Sequence, residues 1–471
     1  MSTASPLRIV HLGLGAFHRA HQAAYLQRLI DAGERRWTIV AGNLRPDQEA
    51  TVDALRAQGG AYTLETVAPS GERSYLRITA ISEVIGWQPG LEPLIEAGAA
   101  PQTRIVSFTV TEAGYSFDAG GQLDVGAPDV VADLAALTDG TTCRTIYGAL
   151  VLLLRARMRR GAGPLTLLCC DNLRHNGERV RAALLRFVDA LGDAALRAWI
   201  EAATTSPSSM VDRITPRPTA EVRARVRAAT GVDDPAALMC ERFSQWVIED
   251  RFASERPRWE DVGVDIVASV APYEEAKIRL LNATHSAVAW AGTLAGTRYI
   301  HEGVADAEIR AFAERYLTVD AIPALGASPL DLHAYGASVL ERFGNPFIRD
   351  TNERVAVDGF AKLAGFVMPT VRDRLAQGQP IDAVAVLPAL YLAWLQRWRR
   401  GALPYAYQDQ ALAPDAAAAL CDSGDPVAQL ARETRLWGAC AGDERLLAAL
   451  RGAATQVGRF EAARVGGAPP A

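Results

Sequence analysis

LRIVHLGLGAFHRAHQAAYL, residues 7–26, runs from an apolar stretch into a glycine-rich turn and then into a helical pattern. Apolar residues crowd its first positions, as in a strand covered on both faces. Gly13 and Gly15 form the first part of a G-x-G dinucleotide fingerprint. Glycines there let the turn tighten and let a pyrophosphate approach the backbone at a helix N-terminus. The third glycine of the fingerprint is absent, and His18 stands in its place. A G-x-G alone is a weak signal; its position, closing the first strand of the chain, strengthens it.

The same grammar continues outward. RWTIVAGN, AYTLETVA, SYLRITAIS, TRIVSFTVT, PLTLLCCDN and VDIVASVAP read as further strands, and QAAYLQRLIDAG and ERVRAALLRFVDAL read as helices between them. This alternation implies a mostly parallel α/β sheet over residues 1–270. From about residue 271 strand signals fade. DAEIRAFAERYL, LPALYLAWLQRWRRG and DERLLAALRGAATQVGRFEAARV carry helical spacing, so residues 271–471 are expected to form a helical domain ending in a frayed tail, GGAPPA. Two domains also suit a chain of 471 residues. A net charge of −5 argues against nucleic-acid or anionic-membrane partners. Six cysteines without a C-x-x-C suggest buried, reduced thiols, and the N-terminus lacks a basic region followed by an apolar one. A cytoplasmic protein is expected.

The second strand ends in AGNLRPD, where Asn43, Arg45 or Asp47 could meet the ribose of a dinucleotide. An acid there favours NAD by accepting from the 2′-hydroxyl, whereas Arg45 would favour NADP. NAD is the expectation. No metal is expected. His11 falls on a strand, His18 and His21 surround the turn, and no H-E-x-x-H or cysteine partner accompanies them.

A second polar constellation interrupts an apolar helix at EEAKIRLLNATHS, residues 274–286. At about 100° per residue, with Lys277 at zero, Glu274 falls near 60°, His285 near 80° and Asn282 near 140°. All share one face, while Arg279, at about 200°, points elsewhere. Buried charges and amides need partners or a task.

GLGAFHRAH, TVTEAGY, CDNLRHNG, SMVDRITP and KIRLLNATH, in this order, resemble the motifs of the polyol-specific long-chain dehydrogenases over essentially the whole chain. The resemblance implies a Rossmann-type N-terminal domain, a largely helical C-terminal domain, and metal-free, NAD(P)-dependent oxidation of a secondary alcohol by a monomer. It makes Lys277 the general base, Asn172 and Asn282 the pair holding the substrate oxygen, and His285 the residue orienting the hydroxyl. Asp212, Arg354 and Lys362 match positions around the polyol, and Glu274 and Glu112 a proton path to solvent. Phe17 and Thr111, with Gly13, Gly15, Asn43 and Asp47, complete the expected cofactor set. D-arabinitol, giving D-xylulose, is the expected substrate; D-mannitol and D-mannonate are the alternatives.

The residue types suit this chemistry. A free lysine has a pKa of about 10.4, and a base working at neutral pH needs one nearer about 7–8. Burial and a positive nicotinamide ring both push in that direction. Asparagine amides can stabilise the developing alkoxide without titrating. A non-catalytic NAD- or sugar-sensing protein has no need of the lysine. The spacing K-x-x-x-x-N also separates the chain from β-hydroxyacid dehydrogenases, which pair these residues as K-x-x-x-N.

Overall fold

A computed structural model describes residues 6–46, 48–118, 120–139 and 143–465. Asp47 and the expected tail GGAPPA lie outside the described residues. The chain divides into two compact units. One runs to Val67 and from Glu72 to Ala271; the other takes Ala68–Gly71 and the chain from Pro272.

The first unit is built on a six-stranded sheet in which every paired neighbour is parallel. Its strands are β1 (Leu7–Leu12), β2 (Trp37–Gly42), β5 (Ile81–Ile85), β6 (Thr103–Phe108), β7 (Leu165–Cys169) and β8 (Thr204–Thr205), in the order β5-β2-β1-β6-β7-β8. Successive residues of one strand serve opposite faces. Val10, Leu12 and Val40 join one buried apolar cluster, and Ile9, Ile39 and Ala41 join the other. That is why the strands read as unbroken apolar runs.

Two smaller sheets complete the unit. β3 (Tyr62–Val67) pairs antiparallel with β4 (Arg73–Ile78) and parallel with β10 (Leu238–Glu241). β9 (Ser209–Asp212) and β12 (Asp265–Val267) flank β11 (Gln245–Glu249). SYLRITAIS, expected as one strand, is divided: β4 and β5 belong to different sheets. The break falls at Thr79, whose backbone N–H donates to the Gln27 side chain at 2.6 Å. β8 to β11 were not foreseen, because strands of two to five residues leave little periodicity to read. In the β3–β10 sheet, the fully buried carboxylate of Glu65 is paired with Arg73 and, at 2.9 Å, with Arg225.

Among its described residues the second unit is built of helices, with strand pairing confined to an isolated bridge between Tyr299 and Thr351. At its centre is the helix Ala283–Leu294, packed against Val386–Arg399, Asn352–Ala356, Ile300–Ala305 and Ala307–Arg315. A Cβ on Gly292 would lie 2.7 Å from the Asn352 amide, so glycine is what lets that neighbour approach. Among the described residues three π-turns interrupt the helices, at Lys277–Asn282, Tyr316–Ala321 and Leu363–Val367, and the first packs against both others. Among the described residues no helix is long and apolar enough to cross a membrane. All six cysteines are free, but only Cys169, Cys170 and Cys240 are fully buried; Cys143, Cys421 and Cys440 are half-buried.

Candidate active site

In the first unit the strand order reverses direction between β1 and β6. In open parallel sheets ligands bind at such a point, beyond the carboxyl ends of the strands. Gly13 leaves β1 there with φ +104°, and an added Cβ would sit 2.0 Å from the Thr109 carbonyl oxygen just past β6. Gly15 is extended, at φ −81°, and nothing lies within 4 Å of where its Cβ would stand. One glycine is thus required by the fold, and the other leaves space. Asn43, at the end of β2, is buried and accepts from the Leu14 N–H at 2.6 Å, tying the turn to the second strand. Arg45 is exposed and paired with Asp129 at 3.1 Å.

His18, in place of the third glycine, lies flat against His11 with ring centroids 3.4 Å apart. Burial pushes the His11 imidazole down to about 3, so both roles open to it at neutral pH are those of a neutral ring. It is bonded to Ser107 Oγ at 2.8 Å. His21 sits at the break between the helices Ala16–Ala20 and Gln22–Asp31, hydrogen-bonded to the Gln245 carbonyl, with Phe17 stacked on it at 5.0 Å.

Beyond β6, Thr111 holds φ +69°, an uncommon conformation for a β-branched residue. Asp171 sustains it. Its carboxylate accepts from the N–H of Val110 at 2.7 Å and of Thr111 at 3.3 Å, and from the Tyr115 hydroxyl at 2.6 Å. The next residue, Asn172, is exposed and donates to Glu112 Oε1 at 3.4 Å. Asn176 fixes this loop by donating to the carbonyls of Cys169, Asp171 and Ser209. Asp212 is buried at the end of β9. Its neighbour Arg213 donates to the carbonyls of Ala20 and Glu241.

In the second unit Glu274 and Lys277 are buried. The helix that carries them is not the uniform α-helix assumed from the sequence. Across Lys277–Asn282 it is a π-turn, and the Ala283 N–H reaches Ile278 O, five residues back. Residues five apart then stand in the relation that residues four apart hold in an α-helix, about 40° instead of about 140°. Asn282 therefore lines up with Lys277, and His285, three residues further on, falls about 20° to the other side. The set is narrower than the sequence suggested, and the five-residue spacing is explained.

His285 stacks on Phe343 at 4.4 Å. Its Nε2 lies 3.3 Å from Asp350 Oδ2, an ion pair only when the ring is protonated, with hydrogen-bond alignment that is poor. Burial lowers the imidazole pKa, Asp350 opposes that, and the cations Arg354 and Lys362 add to the lowering. Burial would raise the Asp350 carboxyl, but His285 and Arg354 outweigh it and hold it well below the usual range. Arg354 grips both Asp350 oxygens, through Nε at 2.6 Å and through its terminal nitrogen. Lys362 Nζ donates to the Val355 carbonyl at 2.7 Å. Arg354 and Lys362 thus gather around His285 and not on an unrelated surface.

Residues 7–261 match the mannitol dehydrogenase Rossmann domain, and residues 269–457 match the mannitol dehydrogenase C-terminal domain. The chain belongs to the mannitol dehydrogenase family. Within it, a D-arabinitol 4-dehydrogenase of Ralstonia nicotianae is 55% identical over 97% of both chains. One of Klebsiella pneumoniae is 51% identical over 94% of this chain and 96% of its own. The mannitol 2-dehydrogenase of Pseudomonas fluorescens, solved as a ternary complex with NAD and D-mannitol, matches with a TM-score of 0.84 at 33% identity. That match covers 98% of this chain and 94% of the other.

Sequence reasoning passed over Asp171, Asn176 and Asp350. Asp171 directly precedes Asn172. Asp350 stands four residues before Arg354, the spacing of a helical ion pair, which was the available signal.

Proposed function

We propose that this chain oxidises a secondary alcohol of a polyol to a ketose with NAD, D-arabinitol to D-xylulose being the preferred reaction. The alignment of a buried lysine with Asn282 and His285 on one line of a helix carries the reading. The relatives' names support the substrate, and the NAD of the Pseudomonas fluorescens complex supports the cofactor. The first unit serves as the dinucleotide-binding domain and the second as the substrate domain.

The residues present fit a dinucleotide. Gly15 leaves its backbone open, Gly13 makes the turn, and Asn43 holds Leu14 in place. Bound NAD supplies a hydride acceptor. Lys277 Nζ takes the hydroxyl proton, and Glu274 and Glu112 pass it toward solvent. The amides of Asn172 and Asn282 donate to the oxygen as negative charge builds on it. His285, steadied by Asp350 and Phe343, orients the hydroxyl, while Asp212, Arg354 and Lys362 hold the rest of the polyol. We also infer a cytoplasmic location from the six free thiols, and a monomer from the family resemblance alone.

The test is NADH formation, followed by absorbance, with D-arabinitol, D-mannitol, D-sorbitol, xylitol and D-mannonate. Preference for D-arabinitol supports the full reading. Preference for D-mannitol or D-mannonate keeps the chemistry and moves the substrate. Inactivity with all of them, with NAD and NADP, favours a sensing role.

A further inference from the structure

The π-turn at Lys277–Asn282 leaves one backbone group to be accounted for. In an α-helix the Ala283 N–H would bond Arg279 O; here it goes to Ile278 O instead. A buried carbonyl deprived of its helical donor is costly unless another donor reaches it. Tyr316 does so: its hydroxyl donates to Arg279 O at 2.8 Å. Tyr316 is itself fully buried and opens the second π-turn. The Arg279 side chain, also buried, is clamped in the same place. Its Nε meets Glu275 at 2.8 Å and its Nη1 meets Asp373 at 2.7 Å.

We propose that Tyr316 is a positioning residue for catalysis, its hydroxyl holding the π-turn that brings Asn282 into line with Lys277. Without that hydroxyl, the donor that restores the α-helical bond to Arg279 O is the Ala283 N–H. That shift restores α geometry and swings Asn282 about 100° around the helix, away from Lys277. Burial raises the Tyr316 phenol above its ordinary value, so it remains a donor across the working pH range. The proposal rests on the reading of Lys277 and Asn282 given above.

The experiment is Tyr316→Phe, alone and combined with Asn282→Ala, assayed with polyol and NAD. The change removes a single oxygen from a ring that otherwise keeps its packing. Tyr316→Phe is expected to lower kcat by about 10- to 100-fold, approaching the loss of one oxyanion donor, with the KM for NAD unchanged. In the Asn282→Ala background the same change should add little, because the residue it positions is already gone. Wild-type kcat in Tyr316→Phe, or full additivity of the two losses, overturns the proposal. A crystal structure of Tyr316→Phe gives an answer that does not depend on activity. A regular α-helix from 277 to 283 supports the proposal and an unchanged π-turn refutes it, even if the wild-type protein oxidises none of the polyols and the functional reading fails.

Discussion

Gly13 and Gly15 differ by two positions and by what surrounds them, and alanine at each should separate folding from cofactor binding. At Gly13 the added methyl would lie 2.0 Å from a backbone oxygen, where contacts under 3.0 Å essentially do not occur. The end of β6 would have to move by about 1 Å, a distance that weakens hydrogen bonds steeply. That end is held by Thr109 N–H on Leu12 O at 3.0 Å and by Thr109 Oγ1 on Gly13 O at 3.0 Å. Strain at the positive φ costs about 1–3 kcal/mol, and each weakened hydrogen bond about 1 kcal/mol. Gly13→Ala should therefore lose about 3–5 kcal/mol, or about 6–20 °C in Tm for a unit of this size. At Gly15 the backbone is already in a conformation open to any residue, and nothing is near. Gly15→Ala should melt within about 1 °C of wild type without cofactor. It should nevertheless bind NADH about tenfold more weakly, a difference of about 1.4 kcal/mol. Thermal melts with and without NAD, and titration of NADH fluorescence, measure both. Wild-type NADH affinity in Gly15→Ala would mean that the open space at the turn is not where the pyrophosphate lies. A wild-type Tm in Gly13→Ala would refute the packing described for β1 and β6.

Three further outcomes are expected. Lys277→Ala should keep the fold and NADH binding while losing most turnover; near-wild-type turnover would remove the lysine from the mechanism. Asp350→Asn should lower kcat/KM about 10- to 100-fold by loosening Arg354, whose hydrogen bonds to the carboxylate are charge-assisted and worth about 1.5–3 kcal/mol, and with it the Asp350 contact that faces His285. The Asp350 carboxyl is depressed in the folded protein, so its stabilisation is complete above the unfolded value of about 3.9 and fades as pH falls below it. The Tm gap between wild type and Asp350→Asn should accordingly be flat from about pH 5 to 8 and shrink below about pH 4; a gap that widens in acid would contradict the assignment. Asp171→Asn leaves one acceptor oxygen for three donors, so it should cost about 1–3 kcal/mol in thermal melts and lower kcat through the Thr111 and Asn172 loops; unchanged melts and kcat would show that these loops do not depend on the carboxylate.

The α/β half and the helical half were legible because unbroken apolar strands and 3.6-residue periodicity are strong signals. Gly13 and Lys277 were legible for a related reason: a glycine after a strand and a charge inside an apolar helix both break a pattern. The π-turn was not legible. It depends on a hydrogen bond from Tyr316, distant in sequence, and a helical wheel drawn at constant pitch cannot register it. Asp171 and Asp350 escaped notice because each acts on a neighbour, one through backbone N–H groups and the other through an imidazole. Neither shows a spacing of its own beyond simple adjacency or an ordinary helical step. His18 departs from the glycine fingerprint in the sequence itself, but its stacking on His11 exists only once the turn is built.

The small sheet has a consequence for how the protein is made. β3 and β4 emerge from the ribosome together as a hairpin, whereas β10, which pairs with β3 from Leu64↔Leu238 to Val67↔Glu241, comes far later. At about 5–20 residues per second the hairpin waits roughly 8–32 s with one edge open. Through most of that interval Glu65 has Arg73 beside it but lacks Arg225. The nucleotide-binding half is thus completed from its far end, and a nascent chain released before residue 225 carries an unpaired strand edge and a carboxylate without its second arginine. Such a fragment is a natural substrate for chaperones and proteases, and a poor starting point for expressing the first unit in shortened form.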